Sequence, residues 1–310
     1  MAGAAIRAGE WRTGWMRCVT GGGTGWAVIA LAAALVLAPV SVPAQTLSPE
    51  SPSSQVVDPA VQALARDVQI EQVIAVMRDE GLESARTLRA DMFPDAGERR
   101  WVAEAEEIYD ATQMQDDFLQ AFSAALSGNP DVGAMRDFMG GEFGQRVVGL
   151  ELAARKALLD PAVEDAASVA WLQLQDDDSA RVRQIERFVT VNDLMDSNVT
   201  GAMNANLAFY RGLMLAAPAD AAMTEEDMLA AVAATQDQIA METEDWLYPY
   251  LTLAYQPLGD DEMERYLEFC ASDAGRALNR ALFAAFAAMF DRISLDLGKA
   301  AGRRMQGSDI

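Results

Sequence analysis

Asp260 to Leu278 read D-D-E-M-E-R-Y-L-E-F-C-A-S-D-A-G-R-A-L, and the apolar spacing runs on through Leu282, Phe286, Met289 and Ile293 to Leu297. Met263, Leu267 and Cys270 recur at three- and four-residue steps, the period of one helix face. The apolar helix stops at Phe269, turns around Ser272 and restarts through Gly275. Ser272 is placed to cap the second helix, and Asp273 adds negative charge at its N-terminus. Gly275 allows another backbone to come close to the first turn, and Phe269 plugs the corner. A fainter version of the phrase lies at Asp131 to Leu159, with Gly140-Gly141 at the break.

Working outward, the same periodicity fills the chain from Asp58 onward. Asp58-Pro59 and Asp160-Pro161 are N-caps followed by Pro at the first helical position. Thr224-Glu225-Glu226-Asp227 is a capping-box variant ahead of Met228, Leu229, Val232 and Ile239. Helices are expected from Asp58 to Gly81, from Leu82 to Met92, from Gly97 to Leu126, from Ser179 to Met195 and from Val199 to Ala216. Pro249 is expected to kink or break the helix that starts at Thr224. No stretch alternates apolar and polar residues with β-branched enrichment, so no sheet is expected. The predicted fold class is all-α, an antiparallel helical bundle in two similar multi-helix halves behind an N-terminal signal segment.

The two halves rest on a single offset. Phe138 and Phe269 stand 131 residues apart, as do Gly144 and Gly275, and Ala153, Ala154, Ala157 and Asp160 fall on Ala284, Ala285, Ala288 and Asp291 without a gap. Upstream, Gln69-Ile70-Glu71 resembles Gln184-Ile185-Glu186 at an offset of 115, which would require extra residues in the second copy. Duplication of one helical unit accounts for the order and the shared break. The expected units are residues 58–175 and 176–300, joined at the Asp176 to Asp178 run, with residues 301–310 as a disordered tail.

Residues 1–44 read as an export signal: a positive n-region with Arg7, Arg12 and Arg17, the apolar run Trp26 to Val40, and Val42-Pro43-Ala44 before a cut ahead of Gln45. Counted to Val42 the run is 17 residues, at the short limit for a spanning helix, so an uncleaved inner-membrane anchor is the alternative. Residues 45–57, rich in Pro and Ser, read as a flexible linker. The expected location is the periplasm or the exterior.

Of 310 residues 51% are hydrophobic, and the formal charge is −23; residues 1–44 contribute +2, leaving about −25 on the remainder. Such a surface repels phosphate backbones, so nucleic acid is excluded as a partner. There is no histidine, which removes the commonest general base and transition-metal ligand. Cys18 falls in the signal segment, leaving Cys270 as a buried small hydrophobe rather than a reactive thiol. No nucleophile elbow, metalloprotease helix, phosphate loop or dinucleotide fingerprint occurs, and no catalytic, cofactor or metal residue is assigned. The aromatic group Trp246, Tyr248, Tyr250, Tyr255 and Tyr266 reads as core.

One resemblance follows from these residues. The pattern acidic-x-E-x6-F-x-x-S-x-x-G-[RK] resembles the signature of the DUF2059 family of exported bacterial domains. Glu262, Phe269, Ser272, Gly275 and Arg276 occupy its positions, with Cys270 where the family usually has Tyr and Asp273 where it usually has Pro. The first copy keeps Phe138 and Gly144 but has Met139, Gly141 and Glu142 at the other places. The resemblance implies export and a helical fold, and no activity. The expectation is a non-catalytic interaction or housekeeping module whose partners are other envelope proteins, with a carrier of a hydrophobic small molecule or lipid as the alternative.

Overall fold

Asp58 turns its carboxylate onto the Ala60 N–H at 2.7 Å, and Pro59 supplies the first helical residue, so the first helix starts where the local chemistry says it should. The computed structural model describes residues 58–93, 98–176, 179–216 and 223–305. The signal segment, the linker and residues 306–310 lie outside the described residues. In chain order the helices are α1 (Pro59–Asp67), α2 (Ile70–Met92), α3 (Glu98–Ile108), α4 (Ala111–Ala125), α5 (Val132–Met139), α6 (Glu142–Ala157) and α7 (Pro161–Asp176). They continue with α8 (Ala180–Val191), α9 (Leu194–Ala216), α10 (Glu225–Ala233), α11 (Gln236–Tyr255), α12 (Asp260–Ala271) and α13 (Asp273–Met305). Among the described residues there is no strand, and the protein is all-α. No helix among them is long and apolar enough to cross a membrane.

Several boundaries differ from the sequence reading, each for a physical reason. Gly81 does not end a helix: α2 runs through it, and the missing side chain makes room for the Tyr109 ring, 2.1 Å from where a Cβ would sit. The long third helix is broken after Ile108, where the Asp110 side chain accepts the Gln113 N–H at 2.9 Å and starts α4. The helix from Ser179 ends at Val191, and Asp193 takes a left-handed φ of 50° before α9. Pro249 lies inside α11 without ending it. Leu247, Pro249, Tyr250 and Leu251 are all buried there, and that packing outweighs the roughly 3 kcal/mol penalty of an interior proline. Residues 301–305 are not a tail but the last turn of α13. Ala301 and Gly302 are buried, and Arg303 and Arg304 both pair with Glu104 of α3. Positive charge at a helix C-terminus is favourable in its own right.

Packing follows a repeated pattern. Helix α1 packs on α4 and α5, as α8 packs on α11 and α12; α2 packs on α6, as α9 packs on α13. α2 and α9 are each 23 residues long, and each follows a non-glycine residue in the left-handed region, Gln69 at φ 54° and Asp193 at φ 50°. Gln184, in contrast, lies in the middle of α8, so the Gln69-Ile70-Glu71 and Gln184-Ile185-Glu186 tripeptides occupy different places. The last helix of each set crosses over: α6 packs on α11, and α13 packs on α4, where Phe286 meets Phe118 with ring centroids 4.7 Å apart. Two hydrophobic cores result, one around Phe118, Phe122, Trp101 and Phe286, the other around Phe188, Tyr255, Tyr266 and Leu251.

Helices α9 and α13 come into main-chain contact. A Cβ on Gly212 would lie 2.1 Å from the Leu295 oxygen, and one on Gly298 would lie 2.1 Å from the Phe209 oxygen. Main chain touches main chain in both directions, which only residues without side chains permit.

Candidate functional site

Phe269, Ser272, Gly275 and Arg276 meet at the turn between α12 and α13, and Phe138 and Gly144 at the turn between α5 and α6. Ser272 is extended at φ −72° and ψ 165°; its Oγ accepts the Gly275 N–H at 3.0 Å and donates to the Phe269 oxygen at 2.6 Å. Gly141 holds the same backbone shape between α5 and α6, at φ −71° and ψ 162°, with no hydroxyl to offer. There Gln145 takes over, donating to the Met139 oxygen at 2.7 Å and to the Asp67 oxygen at 2.6 Å. Arg276, in the corresponding place, donates to the Ala271 oxygen and pairs with Asp273 at 2.6 Å. Gly275 and Gly144 face the Phe269 and Phe138 oxygens, at 2.0 and 2.1 Å from an added Cβ. Phe138 and Phe269 then stack on each other, centroids 3.8 Å apart and planes 3° from parallel. Each ring closes its own corner against the other corner's ring. Glu262 stands apart, at the start of α12, where it accepts the Gly259 N–H at 2.9 Å and pairs with Arg146 of α6. The Gly259 N–H first, and Arg146 after it, hold its carboxyl below the usual range.

Chemistry of another kind lies beside the corners. Phe269 and Gly275 form part of the wall of a cavity of about 70 Å³ bounded by α2, α5, α6, α8, α11, α12 and α13. Its unusual occupant is Glu151 of α6, half-buried. The Tyr255 and Tyr266 hydroxyls donate to the same carboxyl oxygen, Oε1, at 2.7 and 3.0 Å, and the Tyr250 hydroxyl approaches the Glu151 main-chain oxygen at 3.4 Å. Burial pushes the Glu151 carboxyl up, against the two tyrosine hydrogen bonds that pull it down. Burial, and then the Glu151 charge, hold Tyr255 and Tyr266 well above the usual phenol range, so both remain donors. Burial likewise raises the Cys270 thiol, which stays protonated and poorly nucleophilic.

Arg155, one turn further along α6, also lines the cavity but is already engaged. Its guanidinium grips Glu80 of α2 through Nε at 3.0 Å and Nη2 at 2.6 Å, and its Cζ lies 5.9 Å from the Trp246 ring centre. Glu151 is therefore the acid in the wall whose charge no cation offsets. Among the described residues no group of three His, Cys, Asp or Glu side chains is placed to hold a metal ion.

A raised native value means that the folded protein binds the Glu151 proton more tightly than the unfolded chain. The stability this contributes is fully present below the ordinary value of 4.5 and is lost as pH rises through the native value. Glu151→Gln keeps the shape and the acceptor oxygen but carries no charge at any pH. The variant should match the wild type in denaturant midpoint near pH 4 and exceed it near pH 8. The gap should be about 1.4 kcal/mol for each unit by which the carboxyl is raised. A gap independent of pH would show that Glu151 titrates as an ordinary acid.

Sequence reasoning placed the corner residues and missed Glu151, Arg155 and the tyrosine pair as a group. One signal was present: at the 131-residue offset Glu151 stands against Leu282 and Arg155 against Phe286, two charges where the other copy has core residues. Compared with known protein families, curated proteins and solved structures, the chain matches none.

Proposed function

We propose that this is an exported helical protein that acts by binding a protein partner and not by chemistry. The observation that supports this reading is the outer face of α7. Val169 and Leu172, three residues apart and therefore on one side of the helix, are 53% and 60% exposed, while Ala167 and Trp171 face inward and Trp171 stacks on Tyr248 at 4.7 Å. Leu159, just ahead of α7, is 51% exposed. Large apolar side chains grouped on a surface this acidic fit a face covered by another protein. The cavity beside Glu151, about 70 Å³, is far below the roughly 300–1,000 Å³ of sites that enclose a drug-sized ligand, which disfavours a lipid carrier. The acidity excludes nucleic acid on the same grounds as before.

A photo-crosslinking residue at Leu172 in intact cells should give a discrete adduct that the same residue at exposed Glu71 does not. Equal labelling, or none, would remove the support for a partner on α7. N-terminal sequencing of the same recovered protein should begin at Gln45; a retained Trp26 to Val42 run would mean a membrane anchor instead of a cleaved signal.

We further infer that residues 58–175 and 176–300 are two copies of one unit. The repeated packing order, the left-handed hinges at Gln69 and Asp193 and the corner glycines support this, as does the stacking of Phe138 on Phe269. The DUF2059-like phrase is the mark of that unit, with its residues acting as corner determinants.

A further inference from the structure

We propose that the cavity between α6, α11, α12 and α13 is a binding site for a small primary ammonium group, with the Glu151 carboxylate as counter-ion. Both tyrosine donors converge on Oε1, which leaves Oε2 without a donor among the described residues while Glu151 lines the cavity. Arg155 is neutralised by Glu80, so the charge the wall presents is that of Glu151 alone. Asn279, also in the wall, donates its amide NH2 to the Asn192 oxygen at 3.1 Å, and its side-chain oxygen is the complementary acceptor for an N–H. Phe188, Tyr250, Tyr266 and Phe269 supply aromatic surface, whose ring faces attract a cation.

Size limits the ligand. An apolar cavity of about 150 Å³ holds a benzene, and this one has about 70 Å³. It therefore suits an ammonium carrying one to three carbons. An anion would meet Glu151, and a neutral molecule would leave the carboxylate unpaired. Burial favours the protonated carboxyl, so a proton and an ammonium compete for Glu151. Where the carboxyl carries a proton, binding releases it to solvent and the ammonium takes its place, with no bond made or broken in the ligand. This reading is independent of any partner on α7.

The test uses ethylammonium chloride as the probe, titrated calorimetrically into the protein in 150 mM NaCl to suppress binding to the acidic surface. Ethanol, of similar size, and acetate serve as comparators. Saturable 1:1 binding of ethylammonium is expected, at least tenfold tighter than ethanol, with no heat from acetate. Glu151→Gln should weaken it at least tenfold. In the wild type the affinity should fall several-fold from pH 8 to pH 5, as the Glu151 proton competes. The groups facing Glu151 are Tyr250 and Tyr255 on α11, Tyr266 and Cys270 on α12, Arg155 on α6 and, through Arg155, Glu80 on α2. The raised phenols and thiol keep their protons across that range. Should Glu151→Gln fail to fold, the wild-type pH dependence decides alone. Absence of saturable ethylammonium binding, equal binding of ethanol, or an affinity indifferent to both pH and Glu151→Gln would overturn the proposal.

Discussion

Gly298→Leu should cost about 3 kcal/mol or more, because it drives a branched side chain into a neighbouring main chain that has nowhere to go. Its Cβ alone would lie 2.1 Å from the Phe209 oxygen and 2.9 Å from the Leu213 nitrogen. Neither atom is the end of a flexible side chain, so relief requires α9 and α13 to separate. That contact also includes Gly212 against Leu295, and separation would uncover Leu213, Phe209 and Ala301 from the larger core. At roughly 2–4 °C per kcal/mol for a domain of this size, the thermal midpoint should drop by about 6–12 °C or the protein should fail to fold. Gly201, on α9 with nothing within 4 Å of an added Cβ, is the control. Gly201→Ala should be neutral or gain up to about 1 kcal/mol of helix propensity. Equal midpoints for the Gly298 variant and the wild type would mean that the two main chains do not touch.

Gly275→Val is expected to have an effect of similar size at the corner. The added Cβ would sit 2.0 Å from the Phe269 oxygen and 2.8 Å from the Cys270 Cα. That oxygen also accepts the Ser272 hydroxyl and the Ser272 N–H, so moving it breaks the turn that ends α12 and starts α13. A cost of about 2–3 kcal/mol is expected from overpacking, read as a fall in midpoint of at least about 5 °C. Gly144→Val should behave alike, since its Cβ would stand 2.1 Å from the Phe138 oxygen. Gly149→Ala, in α6 with open space around it, should not lower the midpoint. If Gly275→Val leaves the midpoint unchanged while Gly149→Ala behaves as stated, the glycine serves a surface role and not the corner.

Local chemistry was legible in the sequence wherever a residue acts on its own neighbours. Asp58 before Pro59, Thr224 with Asp227, and Ser272 with Gly275 each satisfy main-chain donors within three residues, so spacing alone reveals them. The all-α class follows from apolar periodicity in the same way. Signals whose outcome depends on a distant surface misled. Gly81 has the look of a helix stop, yet it is the gap that admits the Tyr109 ring; Pro249 has the look of a break, yet buried neighbours hold α11 through it. Asp193 carries no mark of its left-handed turn beyond being an aspartate.

The candidate site divides along the same line. Phe138, Phe269, Gly144 and Gly275 could be picked out because they recur, but their meeting as a stacked pair 3.8 Å apart joins residues 131 positions apart. Glu151 is one acid among many in an acidic chain, and its apolar neighbours at 152–154 do not distinguish it. What sets it apart is that α11 and α12 bring Tyr255 and Tyr266 onto one of its oxygens, while Arg155 is already held by Glu80. The helical class, the caps at Asp58, Thr224 and Ser272 and the corner residues could be read from the chain alone, since these depend on hydrogen bonds and periodicities a few residues long. The crossing of α6 and α13, the glycine contact between α9 and α13, and the unpaired carboxyl beside the cavity were decided only by tertiary structure. Each depends on which faces meet, and burial, not sequence neighbourhood, sets both the steric fit and the charge.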